Sequence, residues 1–134
     1  MKLITQEQAQ EFKTFIDQHE VFFIAGHKEP DGDCIASCIG IAALLKHFNK
    51  PYQMLSAGPF KRVEIREKAN LFTNILPFQT EQERKETGLI IVDCSDLSRL
   101  GDIEGDLKGF DTFIIDHHKT ADIHSATARA IIDH

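Results

Sequence analysis

Short runs of apolar residues recur along the chain, and each is followed by a polar loop. Val21 to Ala25, Leu89 to Val92 and Thr112 to Ile115 are almost wholly apolar, which is typical of strands buried on both faces of a parallel sheet. Tyr52 to Ala57 predicts a further strand. These four segments would form the centre of a parallel sheet.

Longer segments between these runs have helical spacing. Thr5 to His19 has apolar residues three and four positions apart and predicts an amphipathic helix. Cys34 to Phe48 is apolar on most faces and predicts a largely buried helix. Lys61 to Phe72 and Ser125 to Ile132 also have helical spacing, whereas the charged segment from Gln79 to Thr87 predicts a surface connection. A short helix with turns is expected between the last two strands.

Alternation of apolar strands with helices defines the fold class as α/β. We expect three layers, with a mostly parallel sheet flanked by helices, and 134 residues are enough for one such domain. Ligands of these sheets bind beyond the carboxyl ends of the strands. The polar residues that follow the strands are therefore the candidates for chemistry.

Charge and cysteine content restrict the class of protein further. The net charge of −6 excludes the broad basic surface with which proteins bind duplex DNA, so a nucleic-acid substrate would be bound locally. Three cysteines, and a first segment unlike a signal peptide, predict a reducing, cytoplasmic location. The longest apolar stretch is too short to cross a bilayer, so no membrane partner is expected.

The loop after the first strand carries one histidine and two aspartates, His27, Asp31 and Asp33. Pro30 and Gly32 allow a sharp turn that can aim both carboxylates inward. Imidazole with carboxylate oxygens suits Mn²⁺, Mg²⁺ or Fe²⁺, and Zn²⁺ less selectively. Two aspartates one residue apart are better placed to serve two adjacent ions than one.

The third and fourth strands also end in ligand-type residues: Asp93 follows one, and Asp116, His117 and His118 follow the other. Asp93 could bridge two ions and His117 could supply nitrogen to the second. The alternative is structural, since an aspartate at a strand end often caps the next helix and Pro-Asp-Gly often forms a turn. Convergence of all these residues on one sheet edge favours a site.

The remaining histidines and cysteines are interpreted structurally. A solvated or helix-capping role is expected for four histidines, namely His19, His47, His124 and His134. Cys34 and Cys38, four residues apart on the predicted helix, could face one ion, but without a partner pair they are expected to be small core residues. Cys94, next to Asp93, is expected to be the one thiol near the site, with a packing role as the alternative.

Three segments resemble the first three motifs of the DHH phosphoesterase superfamily. They are HKEPDGDCIAS from His27 to Ser37, VDCSD from Val92 to Asp96, and IDHH from Ile115 to His118. The form of the first motif, with SDLSRLG after Asp93 and Cys94, is most similar to the oligoribonuclease (nanoRNase)/pAp phosphatase branch. The resemblance spans nearly the whole chain.

The resemblance implies a two-manganese site, with Mg²⁺ or another divalent ion as the alternative, whose metal ligands are His27, Asp31, Asp33, Asp93 and His117. It implies that His27 and Asp31 hold one ion, that Asp33 and His117 hold the other, and that Asp93 bridges them. His118 would contact the scissile phosphate, and Asp116 would form a hydrogen bond within the site.

The implied function is hydrolysis of phosphoester bonds in short single-stranded oligonucleotides or pAp-like nucleotides. A cyclic dinucleotide phosphodiesterase or a RecJ-like exonuclease is the alternative within the family, and a non-catalytic nucleotide- or nucleic-acid-binding domain is the alternative outside it. We expect an N-terminal DHH domain whose fourth-motif aspartate and substrate-binding domain lie beyond residue 134. The oligomeric state stays open, with a homodimer as one arrangement.

Overall fold

The computed structural model describes residues 6–77, 79–94, 97–103, 107, 109–116 and 129–132. The strands within these ranges are β1 (Val21–Ala25), β2 (Tyr52–Leu55), β3 (Phe72–Thr73), β4 (Thr87–Val92), β5 (Asp111–Asp116) and β6 (Arg129–Ile132). The α-helices are α1 (Gln6–Asp17), α2 (Gly32–His47) and α3 (Glu81–Lys85), and two 3₁₀ helices span Val63–Leu71 and Leu97–Leu100. All the strand pairings are parallel, which confirms the expected α/β class.

Two apolar clusters cover the two faces of the sheet. Successive strand residues alternate between them: Phe22 and Ile24 of β1 belong to the cluster that α1 and α2 cover, whereas Phe23 and Ala25 belong to the other. The second cluster is completed by residues that follow β4, among them Leu100 and Ile103. Strands buried on both faces explain why their sequences are continuous apolar runs.

The strand order places a topological switch beside the polar loops. The sheet runs β3-β2-β1-β4-β5-β6, so the chain moves outward from β1 to β3 and then returns to the other side of β1. The connection leaving β1 is α2, which packs on one face, and the connection leaving β4 packs on the opposite face. Connections that diverge in this way leave a crevice between the carboxyl ends of the two strands.

The last predicted helix is wrong in its described part. Arg129–Ile132 forms β6, whose Ala130 pairs with Ile114 of β5, and nothing is described for residues 117–128. A short apolar run has no periodicity that separates a buried strand from a buried helix. Arg129–Ile132 forms a strand because the edge of β5 offers backbone hydrogen bonds to it.

Two connections also differ from the prediction. The segment expected to be helical from Lys61 forms a 3₁₀ helix over Val63–Leu71. The expected surface connection contains the short helix α3, which starts with a capping box between Thr80 and Glu83. A capping box can stabilise one polar turn that has no apolar face of its own.

His19 has a structural role inside the protein. The residue is 3% exposed, so of the two expected roles, solvated or helix-capping, the structure shows the helix-capping one. Its Nδ1–H donates to the Phe15 carbonyl oxygen at 2.7 Å, as a helix-capping group does. Its Nε2 lies 3.0 Å from the Asp111 carboxylate. The ring therefore connects the end of α1 to the start of β5, away from the carboxyl ends of the strands.

No helix in the described part of the chain has both the length and the apolar character needed to span a membrane. The helix α2, expected to be largely buried, is buried on one face only. It has 16 residues, fewer than the roughly 20 that a bilayer requires.

Candidate metal centre

The register between β1 and β4 brings His27 and Asp93 together. Ala25 is paired with Ile91, so His27 and Asp93, each two residues further along, leave the sheet side by side. Their side chains meet, with His27 Nε2 lying 3.2 Å from Asp93 Oδ2. Both side chains are largely withdrawn from solvent, at 16% and 9% exposure. This contact lies in the crevice at the topological switch.

Backbone hydrogen bonds between neighbouring loops hold this edge of the sheet. The amide of Lys28 donates to the Arg99 carbonyl at 2.8 Å, and the amide of Glu29 donates to the Gly58 carbonyl at 2.9 Å. The amide of Asp93 donates to the Ile115 carbonyl of β5 at 3.0 Å. The loops that follow three strands are therefore fixed relative to one another.

The orientation of the His27 ring leaves one nitrogen directed at Asp93. Its Nδ1 lies 2.8 Å from the Lys28 carbonyl oxygen, and because a carbonyl only accepts, Nδ1 carries the hydrogen. Nε2 is then the atom that can donate a lone pair to a metal ion in the neutral ring. Histidine ligands of metals are commonly held by such a hydrogen bond from the other ring nitrogen.

The backbone of Asp93 is in the left-handed region, with φ of 59°. This conformation costs roughly 1–2 kcal/mol for most residues, and aspartate and asparagine tolerate it best. It turns the chain sharply after β4 and directs the carboxylate toward His27. Backbone strain of this kind concentrates at functional sites.

Cys34 is a buried core residue, as expected, and it also borders the site. Ligand atoms of His27, Cys34 and Asp93 all lie within 4.8 Å of one another, the one group of this kind in the described residues. Cys94 only packs, in the apolar cluster on the opposite face of the sheet. The signal for Cys34 was its position one residue after Asp33, but its side-chain direction follows only from the helix.

Asp31 and Asp33 lie at the start of α2, beside the cluster. Asp31 is the N-cap residue, and its Oδ1 accepts a hydrogen bond from the Cys34 amide at 2.9 Å. Because Oδ1 caps the helix, Oδ2 is the Asp31 oxygen that could bind a metal ion. Asp33 is exposed in the first helical turn. The roles of both as metal ligands remain predictions.

The third polar cluster is described only by the backbone of Asp116. Val92 of β4 is paired with Ile115 of β5, so Asp116, one residue further, ends its strand at the level of Asp93. His117 and His118 lie outside the described residues. Their expected roles, and that of the Asp116 side chain, remain predictions.

Electrostatics couple the groups of this centre. Burial lowers the pKa of His27, but the hydrogen bond to the Lys28 carbonyl and nearby acidic groups outweigh burial and raise it overall. The hydrogen bond from Cys38 lowers the pKa of the Cys34 thiol, partly opposed by burial. The same hydrogen bond and burial raise the pKa of Cys38. An imidazole, a carboxylate and a thiol with a lowered pKa therefore share one small volume.

An open cleft of about 420 Å³ adjoins this centre. It is lined by His27, Lys28, Glu29, Ser98 and Arg99. Lys28 and Arg99 are exposed and bring two positive charges next to the acidic centre. The cleft is thus lined by one proposed metal ligand, His27, and by cationic side chains that suit an anionic ligand.

Fold and centre together define an α/β domain with a candidate divalent-metal site at the carboxyl ends of its strands. Comparison with family models identifies residues 21–134 as the N-terminal domain of the DHH family. The chain therefore belongs to the DHH phosphoesterase family, whose members typically depend on divalent metal ions.

A solved structure has the same fold. The crystal structure of an exopolyphosphatase-related protein from Bacteroides fragilis matches with a TM-score of 0.74 and 20% sequence identity, over 99% of this chain and 40% of that one. The chain thus spans less than half the length of that protein. The search of curated proteins found no match.

Proposed function

We propose that this domain hydrolyses phosphoester bonds of short single-stranded oligonucleotides or pAp-like nucleotides with the help of two divalent ions, Mn²⁺ foremost. The observation that carries the proposal is the contact between His27 Nε2 and Asp93 Oδ2 at the topological switch. An imidazole and a carboxylate held together in a crevice of a DHH-family fold favour metal-assisted hydrolysis over a purely structural pair.

The donor atoms of the centre fit a divalent ion. Imidazole nitrogen and carboxylate oxygen are ligands that Mn²⁺ accepts, and the Nδ1 hydrogen bond orients His27 for ligation. We assign His27, Asp31, Asp33, Asp93 and His117 as ligands in this proposal. Divalent ions held there would lower the pKa of a water molecule and offset negative charge on a phosphate.

The residues of the chain have separate tasks in this proposal. Asp93 supplies negative charge that holds the ions, and its strained backbone fixes that carboxylate. Lys28 and Arg99 bind phosphate oxygens from the cleft side. His118 contacts the scissile phosphate, and Asp116 orients a neighbouring group through a hydrogen bond. A further domain that supplies substrate contacts belongs to the same proposal.

Charge and cleft size favour a short substrate. The cleft of about 420 Å³ is in the range of sites for small ligands, and two cations line it. The net charge of −6 would repel a long polyanion outside the cleft. A nucleotide or a very short oligonucleotide therefore fits better than a long chain.

The test compares substrates with and without metal. The protein is stripped with a chelator, reloaded with Mn²⁺ or Mg²⁺, and given pAp, a dinucleotide, a cyclic dinucleotide and inorganic polyphosphate in separate assays. We expect Mn²⁺-dependent hydrolysis of pAp or the dinucleotide. Preference for polyphosphate or the cyclic dinucleotide would overturn the substrate class, and failure to bind any divalent ion in calorimetry would overturn the function.

Arg99 offers a test of the cleft. Replacing Arg99 with Ala removes a cation from the lining of the cleft without altering a proposed metal ligand. Because charge-assisted contacts to phosphate contribute about 1.5–3 kcal/mol, we expect KM to rise at least about tenfold while kcat changes less than about threefold. Steady-state kinetics measures both.

Lys85→Ala is the matched control for Arg99→Ala. Lys85 is exposed at the end of α3, directly before β4 and so at the opposite end of the sheet. Its loss should leave KM and kcat unchanged. An equal rise in KM for both variants would mean that overall charge, and not the cleft, attracts the substrate.

A further inference from the structure

Cys34 occupies a position between the end of β1 and the candidate metal centre. Its side chain is 1% exposed. The Gly26 backbone lies so close to Cys34 Sγ that a Cβ at position 26 would overlap the sulfur. Gly26 directly precedes His27, so the sulfur lies beneath the residue that presents the imidazole. A glycine is required here to leave room for the thiol.

One hydrogen bond and tight burial fix Cys34 in this place. Its amide donates to Asp31 Oδ1 at 2.9 Å, which ties its backbone to the helix cap. Its side chain lies in the same apolar cluster as Cys38, one turn further along α2. The thiol is thus held by the first turn of α2 at a defined point of the centre and does not sample open space.

The sulfur lies close to the other donors. Ligands about 2.0–2.3 Å from a tetrahedral ion lie about 3.3–3.8 Å apart, and the donors of His27, Cys34 and Asp93 all lie within 4.8 Å of one another. Small side-chain rotations would therefore be enough to place all three on one ion. Together with Asp31, which the proposed function assigns to the metal site, these residues could supply four protein ligands, and zinc accepts four ligands of these types.

We propose that Cys34 is a ligand of the ion that His27 and Asp93 hold, which gives this one metal position nitrogen, oxygen and sulfur donors and lets it bind Zn²⁺ and Co²⁺ as well as the Mn²⁺ of the proposed function. The inference rests on the metal site of the proposed function. On binding, the sulfur bonds to the ion and its proton passes to solvent. Thiolate ligands favour Zn²⁺ and Co²⁺ over Mn²⁺, which prefers oxygen.

Cobalt reports directly on this ligand. Co²⁺ is titrated into the metal-free protein, and its binding is followed by absorption. The ligand-field bands in the visible region show that Co²⁺ binds. A sulfur-to-cobalt charge-transfer band in the near ultraviolet appears only when sulfur is one of the ligands. We expect both sets of bands in the unchanged protein. Cys34→Ser and Cys34→Ala should lose the charge-transfer band and keep the ligand-field bands.

Cys94→Ser is the matched control, since Cys94 is equally buried but packs on the opposite face of the sheet. It should keep the charge-transfer band. Zinc X-ray absorption on the unchanged protein needs no variant and should show one sulfur at about 2.3 Å. Cys34→Ser should weaken Zn²⁺ binding at least about tenfold, since even the loss of a residue that only hydrogen-bonds to a metal ligand can have this effect. Mn²⁺ affinity should change less than about threefold, because Mn²⁺ gains little from a sulfur ligand.

The outcomes separate this inference from the proposed function. Cobalt binding without a charge-transfer band, or without a sulfur neighbour of zinc, would overturn the role of Cys34 and leave the metal site in place. Persistence of the band in both Cys34 variants would also overturn it. Absence of any cobalt or zinc binding in the unchanged protein would overturn both proposals.

Discussion

Asp93→Asn should reduce phosphoester hydrolysis at least about 100-fold while the fold stays intact. Asparagine has the size of aspartate and tolerates the left-handed backbone that φ of 59° requires, so the substitution removes charge with little added strain. Loss of the carboxylate weakens ion binding beside His27, and metal centres contribute several kcal/mol to stabilising developing charge. Steady-state kinetics measures the rate of hydrolysis, calorimetry measures Mn²⁺ affinity, and circular dichroism shows whether the fold is intact.

Asp17→Asn controls for the loss of one negative charge. Asp17 is exposed at the end of α1 and pairs with Lys13. It precedes β1, whereas His27 follows β1, so its substitution at the other end of the strand should change neither turnover nor metal affinity. If Asp93→Asn binds a nucleotide with unchanged affinity and no activity is lost, the domain is a non-catalytic binding module. Unchanged Mn²⁺ affinity would remove Asp93 from the metal site.

Phe15→Ala should lower the free energy of unfolding by about 3–5 kcal/mol. Phe15 is fully buried where α1 meets the sheet, with ring-centroid distances of 5.3 Å to Phe113 and 6.0 Å to Phe22. Gly88 of β4 lies so close that a Cβ there would come within 2.9 Å of the Phe15 ring, so the surroundings of the ring are tightly packed. Urea unfolding followed by circular dichroism measures the loss.

Val63→Ala is the exposed control for Phe15→Ala. Val63 is 76% exposed at the start of a 3₁₀ helix, so its truncation should change the unfolding free energy by less than about 0.5 kcal/mol. A loss of less than about 1.5 kcal/mol for Phe15→Ala would mean that α1 contributes little to the core. The total free energy of unfolding of a domain of this size is only about 5–15 kcal/mol, so the loss expected for Phe15→Ala is a large part of it.

The order of elements was predictable where the sequence pattern is local. The apolar runs at Val21–Ala25 and within Thr87–Val92 and Asp111–Asp116 are strands as expected, and α2 differs from its predicted bounds by no more than two residues at either end. Each of these patterns lies within one element. Arg129–Ile132 was predicted incorrectly because its partner, β5, determines that it is a strand.

The candidate site was predictable as a set of strand-end residues but not as a geometry. His27 and Asp93 are recognisable because each follows a buried strand, and the structure brings them into contact. Cys34 was interpreted as core because Cys34 and Cys38 have no second pair of ligand residues to complete a site. Its proximity to His27 and Asp93 depends on how α2 leaves the loop, which the order of residues does not encode locally.

The sequence by itself determined that the chain alternates strands and helices, that polar residues follow the strands, and that three of its segments resemble DHH motifs. Only the tertiary structure decided that β1 pairs with β4 and that Ala25 lies opposite Ile91. That register joins His27 to Asp93 across 66 positions of sequence. Periodicity reports which face of an element is buried, whereas strand order and register arise from packing between distant segments, so only the fold brings imidazole, carboxylate and thiol to one point.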